Sequence, residues 1–188
     1  MKRKKGFPKT VYLVGAGPGA GVTHTGILLA EYLEERRGAR TLFLEVNSHK
    51  DICCVKKEIL SADYRCLQDE NWEEQQIEGY DYVVADLGTD IRFWQKGLSN
   101  QAIGILIGNG APWRQERFFR AVQGVKSQRT EFTWRGLLSL GSEKEAKSLT
   151  RKLGIPIYAL GWQPLYKSLS EANEVLFLSL IQEREITT

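Results

Sequence analysis

The chain has 188 residues, 42% apolar and 26% charged, the balance of a globular domain long enough to build a core. No apolar run approaches the ~20 residues of a membrane helix, so a transmembrane segment is excluded and a cytoplasmic protein is expected. Three cysteines, Cys53, Cys54 and Cys66, cannot make an even disulfide set.

Net charge is +3, but it is unevenly spread. Residues 1–9 form a basic tail with Lys2, Arg3, Lys4, Lys5 and Lys9 and no acid. Such a tail could touch anionic lipid or nucleic acid, although a solvated terminus is the simpler reading. The apolar stretch that follows is too short and too strand-like for a signal peptide. Residues 10–188 are expected to form one domain.

In chain order, "TVYLVG" (10–15) reads as a buried strand, β-branched and aromatic. The glycine-rich turn "GAGPGAGVTHTG" follows. Ile27, Leu28, Ala30 and Leu33 then recur at helical spacing, ended by Gly38. "ARTLFLEV" (39–46), "DYVVADLG" (81–88), "AIGILIGNG" (102–110), "TWRGLLSLG" (133–141) and "IPIYALG" (155–161) are further strands. Helices are predicted from Trp113 to Val125 after Pro112, over 142–154 and over 170–185. The second has Ser142 as N-cap, Glu145 three residues on and Gly154 at its end; the third starts at Ser170. Residues 48–79 carry no clear period and turn acidic towards Trp72–Glu78.

Continuous apolar strands interleaved with helices specify a three-layer α/β/α fold around a mostly parallel sheet. Ligands of such sheets sit at the carboxyl ends of the strands. Gly15–Thr23, Glu45–Asn47, Asp86–Asp90 and Gly108–Trp113 all fall at such ends.

Three readings of the glycine turn compete. Gly15, Gly17 and Ala20 fit the dinucleotide pattern G-x-G-x-x-[GA], with Glu45 somewhat beyond the ~20 residues at which its acid is expected. That reading implies an enzyme using NAD or, by a likeness that stops at Gly19, S-adenosylmethionine. Alternatively, Ala16–Thr23 fits the Walker A pattern [AG]-x-x-x-x-G-K-[ST] except that Val22 stands at the lysine. Backbone amides would cradle phosphate at the helix N-terminus, and Thr23 would hold Mg²⁺. "GYDYVVADLG", an apolar strand ending in Asp86, has the form of the matching Walker B strand. In the third reading the glycines serve the turn alone.

The order of these elements over residues 10–183 resembles the ParA/MinD family of deviant-Walker P-loop ATPases (SIMIBI type), as does "GIPIYALGWQPLYKSLSEANE", the last strand with the proline loop that follows it. TadZ-like members, which also tolerate a degenerate Walker A loop, are the nearest analogy, although they carry an added receiver-like domain that this chain lacks. The resemblance implies ATP or ADP with Mg²⁺ as cofactor, a protein partner, and a nucleotide loop of Gly17, Pro18, Gly19, Ala20, Gly21, Val22, Thr23 and His24. Thr23 and Asp86 would be the Mg²⁺ ligands. The family loop reads K-G-G-x-G-K-T-[ST]. Here Gly17 replaces the signature lysine that crosses a sandwich dimer, and Val22 replaces the cradle lysine. The family's second strand ends in D-x-D; here Glu45 and Asn47 stand at this strand-two switch, and Asn47 replaces the acid that positions water.

Losing one electrostatic donor typically costs ~10²–10³ in rate, and three are changed. A degenerate pseudo-ATPase with weak or absent hydrolysis is therefore expected, acting as a localisation or regulatory scaffold. The alternative is an interaction module that binds no nucleotide. A homodimer, if formed, would not be driven by ATP. Arg114 or Arg117 could supply the missing cation. With Arg120 they recur at helical spacing, the usual mark of a solvated face, with a partner or nucleic acid as the alternative. His49, Cys53, Cys54 and Cys66 fit no common zinc spacing, and thiols packed in or near the core are expected. Trp94, Trp113, Trp134 and Trp162 are expected to pack. The closing helix is expected to cover the core with Val175, Leu176, Leu178 and Ile181.

Overall fold

The computed structural model describes residues 8–47, 49–55, 60–66, 77–90, 102–127, 133–165 and 169–182. Most of the basic tail, Trp94 and residues 72–76 of the acidic stretch lie outside them. The strands are β1 (Lys9–Gly15), β2 (Thr41–Glu45), β3 (Asp63–Cys66), β4 (Tyr82–Asp86), β5 (Ala102–Gly108), β6 (Thr133–Leu138) and β7 (Ile157–Ala159). The helices are α1 (Val22–Glu31), α2 (Pro112–Ser127), α3 (Glu143–Leu153) and α4 (Glu171–Ile181). One seven-stranded sheet has the order β3-β2-β4-β1-β5-β6-β7, and every pair is parallel.

Alternation along β1 shows why three layers form. Val11 and Leu13 face a core completed by Ile27, Leu28 and Leu33 from the α1 side and by Phe177 and Leu180 of α4. Tyr12 and Val14 face the opposite core, completed by Phe118 and Val122 of α2 and Leu149 and Leu153 of α3. A strand buried on both faces must be apolar throughout, as its sequence is.

The helix ends follow the cap chemistry. Ser142 Oγ accepts from the Glu145 amide at 3.3 Å, while the Glu145 carboxylate accepts from the Ser142 amide at 2.7 Å. That amide holds the Glu145 carboxyl below its ordinary value. Gly154 closes α3 at φ +68°. Ser170 caps α4, and the buried guanidinium of Arg135 donates to the Leu180 and Gln182 carbonyls at its far end. Lys126, in the last turn of α2, donates to the Leu153 carbonyl at 3.1 Å and so ties α2 to the end of α3.

Three features differ from expectation. Residues 48–79 contain an edge strand, β3, whose half-buried Tyr64 donates its hydroxyl to Glu31 at 2.5 Å. The helix after α1 does not stay regular: Tyr32–Arg36 form a π-turn before Gly38. The inner face of α4 is Asn173, Phe177, Leu180 and Ile181, whereas Val175 is 65% exposed. Asn173 is buried because its side chain pairs with Gly161 in both directions, accepting from the amide at 3.1 Å and donating to the carbonyl at 3.3 Å.

α2 lies against β5 at Gly108, where an added Cβ would stand 2.2 Å from Phe118 Cδ2. Gly108→Ala is therefore expected to destabilise the fold by about 1–3 kcal/mol through overpacking. Gly124, inside α2, is the contrast: an added Cβ there would have nothing within 4 Å. Gly124→Ala should stabilise by about 0.5–1 kcal/mol. Urea denaturation of the two variants measures both effects.

Candidate functional site

The glycine turn leaves β1 at the centre of the sheet and leads into α1. Its stem is tied to both neighbouring strands: the Gly15 amide donates to the Gly88 carbonyl and the Ala16 amide to the Ile107 carbonyl, each at 2.7 Å. Gly19 and Gly21 adopt φ +69° and +89°, left-handed values that favour glycine. Gly21 is the N-cap of α1 and has no capping side chain. The amides of the first helical turn thus retain their capacity to bind an anion.

Thr23 Oγ1 donates to Asp86 Oδ2 at 2.7 Å, joining the turn to the end of β4. The Gly88 amide donates to Asp86 Oδ1 at 2.8 Å. Burial pushes the Asp86 carboxyl above its ordinary value; the Thr23 hydroxyl and Gly88 amide pull it back, Glu45 raises it and the Asn47 side chain lowers it. Both Asp86 and Glu45 are fully buried and stand opposite each other in the β2–β4 register.

Glu45 is committed elsewhere. Its Oε1 accepts from the Asp51 amide at 2.8 Å and its Oε2 from the Ile52 amide at 3.0 Å, which holds the short 3₁₀ turn Asp51–Cys54. Asn47 Oδ1 accepts from the His49 amide at 2.8 Å, and its side chain bonds Asp86. Sequence reasoning placed both residues at the site but did not reveal the turn that Glu45 holds, because its partners are backbone amides.

Val22 is 8% exposed and belongs to the core shared by α1 and α4. A Cβ on Gly15 would lie 2.9 Å from Val22 Cγ2. His24 is half-buried in the first turn of α1.

On the open side, a shallow cleft lies between Ala16–Pro18, Ala20, the end of β5 and two arginines of α2, Arg114 and Arg117. Arg114 Nη1 donates to the Pro18 carbonyl at 3.2 Å. Arg120 instead pairs with Glu116 at 2.9 Å, so the expected single basic ridge is divided. The tryptophans also divide. Trp134 is buried in β6, while Trp113, in the first turn of α2, and Trp162, beyond the end of β7, are 79% and 81% exposed.

The expected packing of the thiols holds only in part. Cys53 and Cys54 are exposed on the 3₁₀ turn and Cys66 is half-buried. Burial, with the neighbouring Cys53 thiol and Glu45, pushes the Cys66 thiol up to about 11. Among the described residues no group of three or more His, Cys, Asp or Glu could hold a metal. The Thr23 hydroxyl and Asp86 carboxylate do fit Mg²⁺, which takes hard oxygen donors and draws its remaining ligands from water and phosphate.

The chain is similar in structure to a Borrelia burgdorferi B31 plasmid partition protein bound to AMPPNP, with a TM-score of 0.58, 10% identity and coverage of 93% of this chain and 97% of that one. It is similar to a ParA family ATPase from Chlorobium tepidum TLS (0.55, 14%, 82% and 84%) and to FlhF complexed with GTP and Mg²⁺ (0.60, 16%, 93% and 74%). The fold is the three-layer α/β/α architecture of P-loop NTPases of the SIMIBI class. The resemblance to ParA/MinD proteins holds at the level of fold. No protein-family model matches the sequence, and no curated protein matches it.

The raised Asp86 carboxyl predicts a stability trend in metal-free buffer. The folded state binds this proton more tightly than the unfolded state, so the contribution is present below the ordinary carboxylate range and lost as pH rises through the folded value. Asp86→Asn, which carries no buried charge, should gain stability relative to wild type as pH rises from 4 to 7, roughly the range in which carboxylates ionise. Urea midpoints across that range, with EDTA present, check the sign.

Proposed function

We propose that this chain is a degenerate P-loop protein that holds ATP or ADP with Mg²⁺ over Gly17–His24, hydrolyses it weakly or not at all, and serves in the cytoplasm as a localisation or regulatory scaffold for a protein partner. One observation carries this reading: the Thr23 hydroxyl lies 2.7 Å from the buried Asp86 carboxylate at the mouth of a glycine turn. The two side chains meet although they are 63 residues apart, which supports reading them as the Mg²⁺ ligands. The Borrelia protein binds AMPPNP and FlhF binds GTP with Mg²⁺ on the same fold. Among the described residues no helix is long and apolar enough to cross a membrane.

Weak turnover follows from what the carboxylates already do. Both oxygens of Glu45 accept backbone amides, and both oxygens of Asp86 accept the Thr23 hydroxyl and the Gly88 amide. Glu45 is committed to the turn Asp51–Cys54, and Asn47, which stands where the water-positioning acid is expected, is not an acid. Val22 supplies no charge to the phosphates and lies in the core.

Calorimetry with ATP, ADP, NAD and S-adenosylmethionine is expected to show binding of the adenosine phosphates alone, dependent on Mg²⁺ and weakened by Thr23→Ala. Binding of none of them at millimolar concentration would leave the interaction module as the function. Binding of NAD or S-adenosylmethionine would restore the dinucleotide reading. Phosphate release from ATP should not exceed that of Gly21→Glu, in which a side chain is forced onto a left-handed residue in the turn.

Gly17 has no side chain to reach a second protomer's phosphates. Facing two nucleotides without that cation would bury uncompensated charge, a cost of several kcal/mol. The mass measured by light scattering should therefore be unchanged by ATP and Mg²⁺; a monomer that dimerises only with ATP would contradict this reading.

A further inference from the structure

We infer that Arg114 and Arg117 of α2 form a cation pair supplied within the same chain, which neutralises the phosphates in place of the two lysines absent from the turn. This rests on the turn being a phosphate site, and it adds where the charge comes from.

Position 22 cannot supply that charge. Val22 is packed in the core beside Gly15 and does not line the open cleft. Position 17 is glycine, although its backbone does not have the positive φ that would require one. What occupies the adjoining space is Arg117. A Cβ built on Gly17 would lie 3.4 Å from Arg117 Cδ and 3.6 Å from Nη1. A short side chain would just touch the arginine, and a long one would compete with it for the cleft.

Arg114 approaches from the other side. Its Nη1 bonds the Pro18 carbonyl at 3.2 Å and would lie 3.6 Å from a Cβ on Gly19. Both arginines line the cleft formed with Ala16–Pro18.

The charge balance points the same way. Glu116 is the acid of α2, and it is taken by Arg120 at 2.9 Å. Among the described residues no carboxylate pairs with Arg114 or Arg117. Two guanidiniums on one helix face, one turn apart and without a counter-charge among the described residues, beside the amide end of α1, are complementary to a polyphosphate. Arginine also suits this position better than lysine, because its planar fork can serve two phosphate oxygens at once.

The test uses the full chain, with two probes titrated in the presence of Mg²⁺: ATP and inorganic triphosphate. Arg114→Ala and Arg117→Ala should each weaken binding of both probes by about tenfold, the usual scale of a charge-assisted hydrogen bond. The double variant should lose more, and its binding should respond less to added salt. Arg117→Lys should bind both probes more tightly than Arg117→Ala but more weakly than wild type, because it keeps the charge and loses the fork. Arg120→Ala, on the same helix but paired with Glu116, should stay within about twofold of wild type, as expected of a surface ion pair.

Gly17→Lys provides a second check. In the Arg117→Ala background, where the space is vacated, it should restore binding; in wild type it should not improve it. Circular dichroism melts establish that each variant is folded. If ATP binds with unchanged affinity to both alanine variants, the arginine pair is refuted while the nucleotide reading survives. If inorganic triphosphate binds through the arginines but ATP does not, the pair stands and the nucleotide reading falls. If neither probe binds wild type, both fall.

Discussion

β1 is hydrogen-bonded on both edges and buried on both faces, and the candidate site depends on that placement. In its parallel register Leu13 stands opposite Asp86, two residues before Gly15 begins the turn. The sheet therefore delivers the β4 carboxylate to the height at which Thr23 enters α1. A slip of one residue between β1 and β4 would turn Asp86 to the other face and separate the pair. The Gly15 amide opposes that slip by continuing the β1–β4 ladder onto Gly88, beyond the last paired residues of β4, while the Ala16 amide ties β1 to Ile107 of β5. The geometry of the turn is thus a property of the sheet as much as of its own glycines.

Around this point the charge is arranged in two layers. Beneath the turn lie Glu45 and Asp86, buried and satisfied by backbone amides and a hydroxyl. Above it lie the guanidiniums of Arg114 and Arg117, open to solvent along the cleft. The turn itself contributes amide dipoles and no formal charge. The site is consequently polarised across a few ångströms, with acid inside and base outside. Val22 fits this division: where a lysine-bearing turn would put a long cationic chain, this one puts a branched apolar side chain that strengthens the packing under α1.

Six of the seven strands were legible as continuous apolar runs, because each is buried and paired on both sides or covered by helices. β3 was not. It is four residues long, it has a single neighbour, and its exposed Asp63 and Arg65 alternate with half-buried Tyr64 and Cys66. An edge strand of this kind leaves almost no hydrophobic period in the sequence. The turn and Asp86 were legible because their chemistry needs particular residue types at fixed spacing. The partners of Glu45 were not, since any residue can offer an amide. Arg114 and Arg117 could be named as candidates from spacing alone, but which face of α2 meets the turn was decided by Phe118 packing over Gly108.

α4 starts beside Gly161, after the carboxyl end of β7, and finishes where Arg135, three residues before the end of β6, holds the Leu180 and Gln182 carbonyls. It therefore runs back across the sheet over roughly 16 Å, at 1.5 Å per residue, away from the turn. β1 begins on that same far edge, at Lys9. The path into the fold and the path out of it thus lie together, on the side opposite the cleft. Anything joined to either path, whether a reporter, an anchor or further polypeptide, is attached at the edge of the sheet opposite the glycine turn.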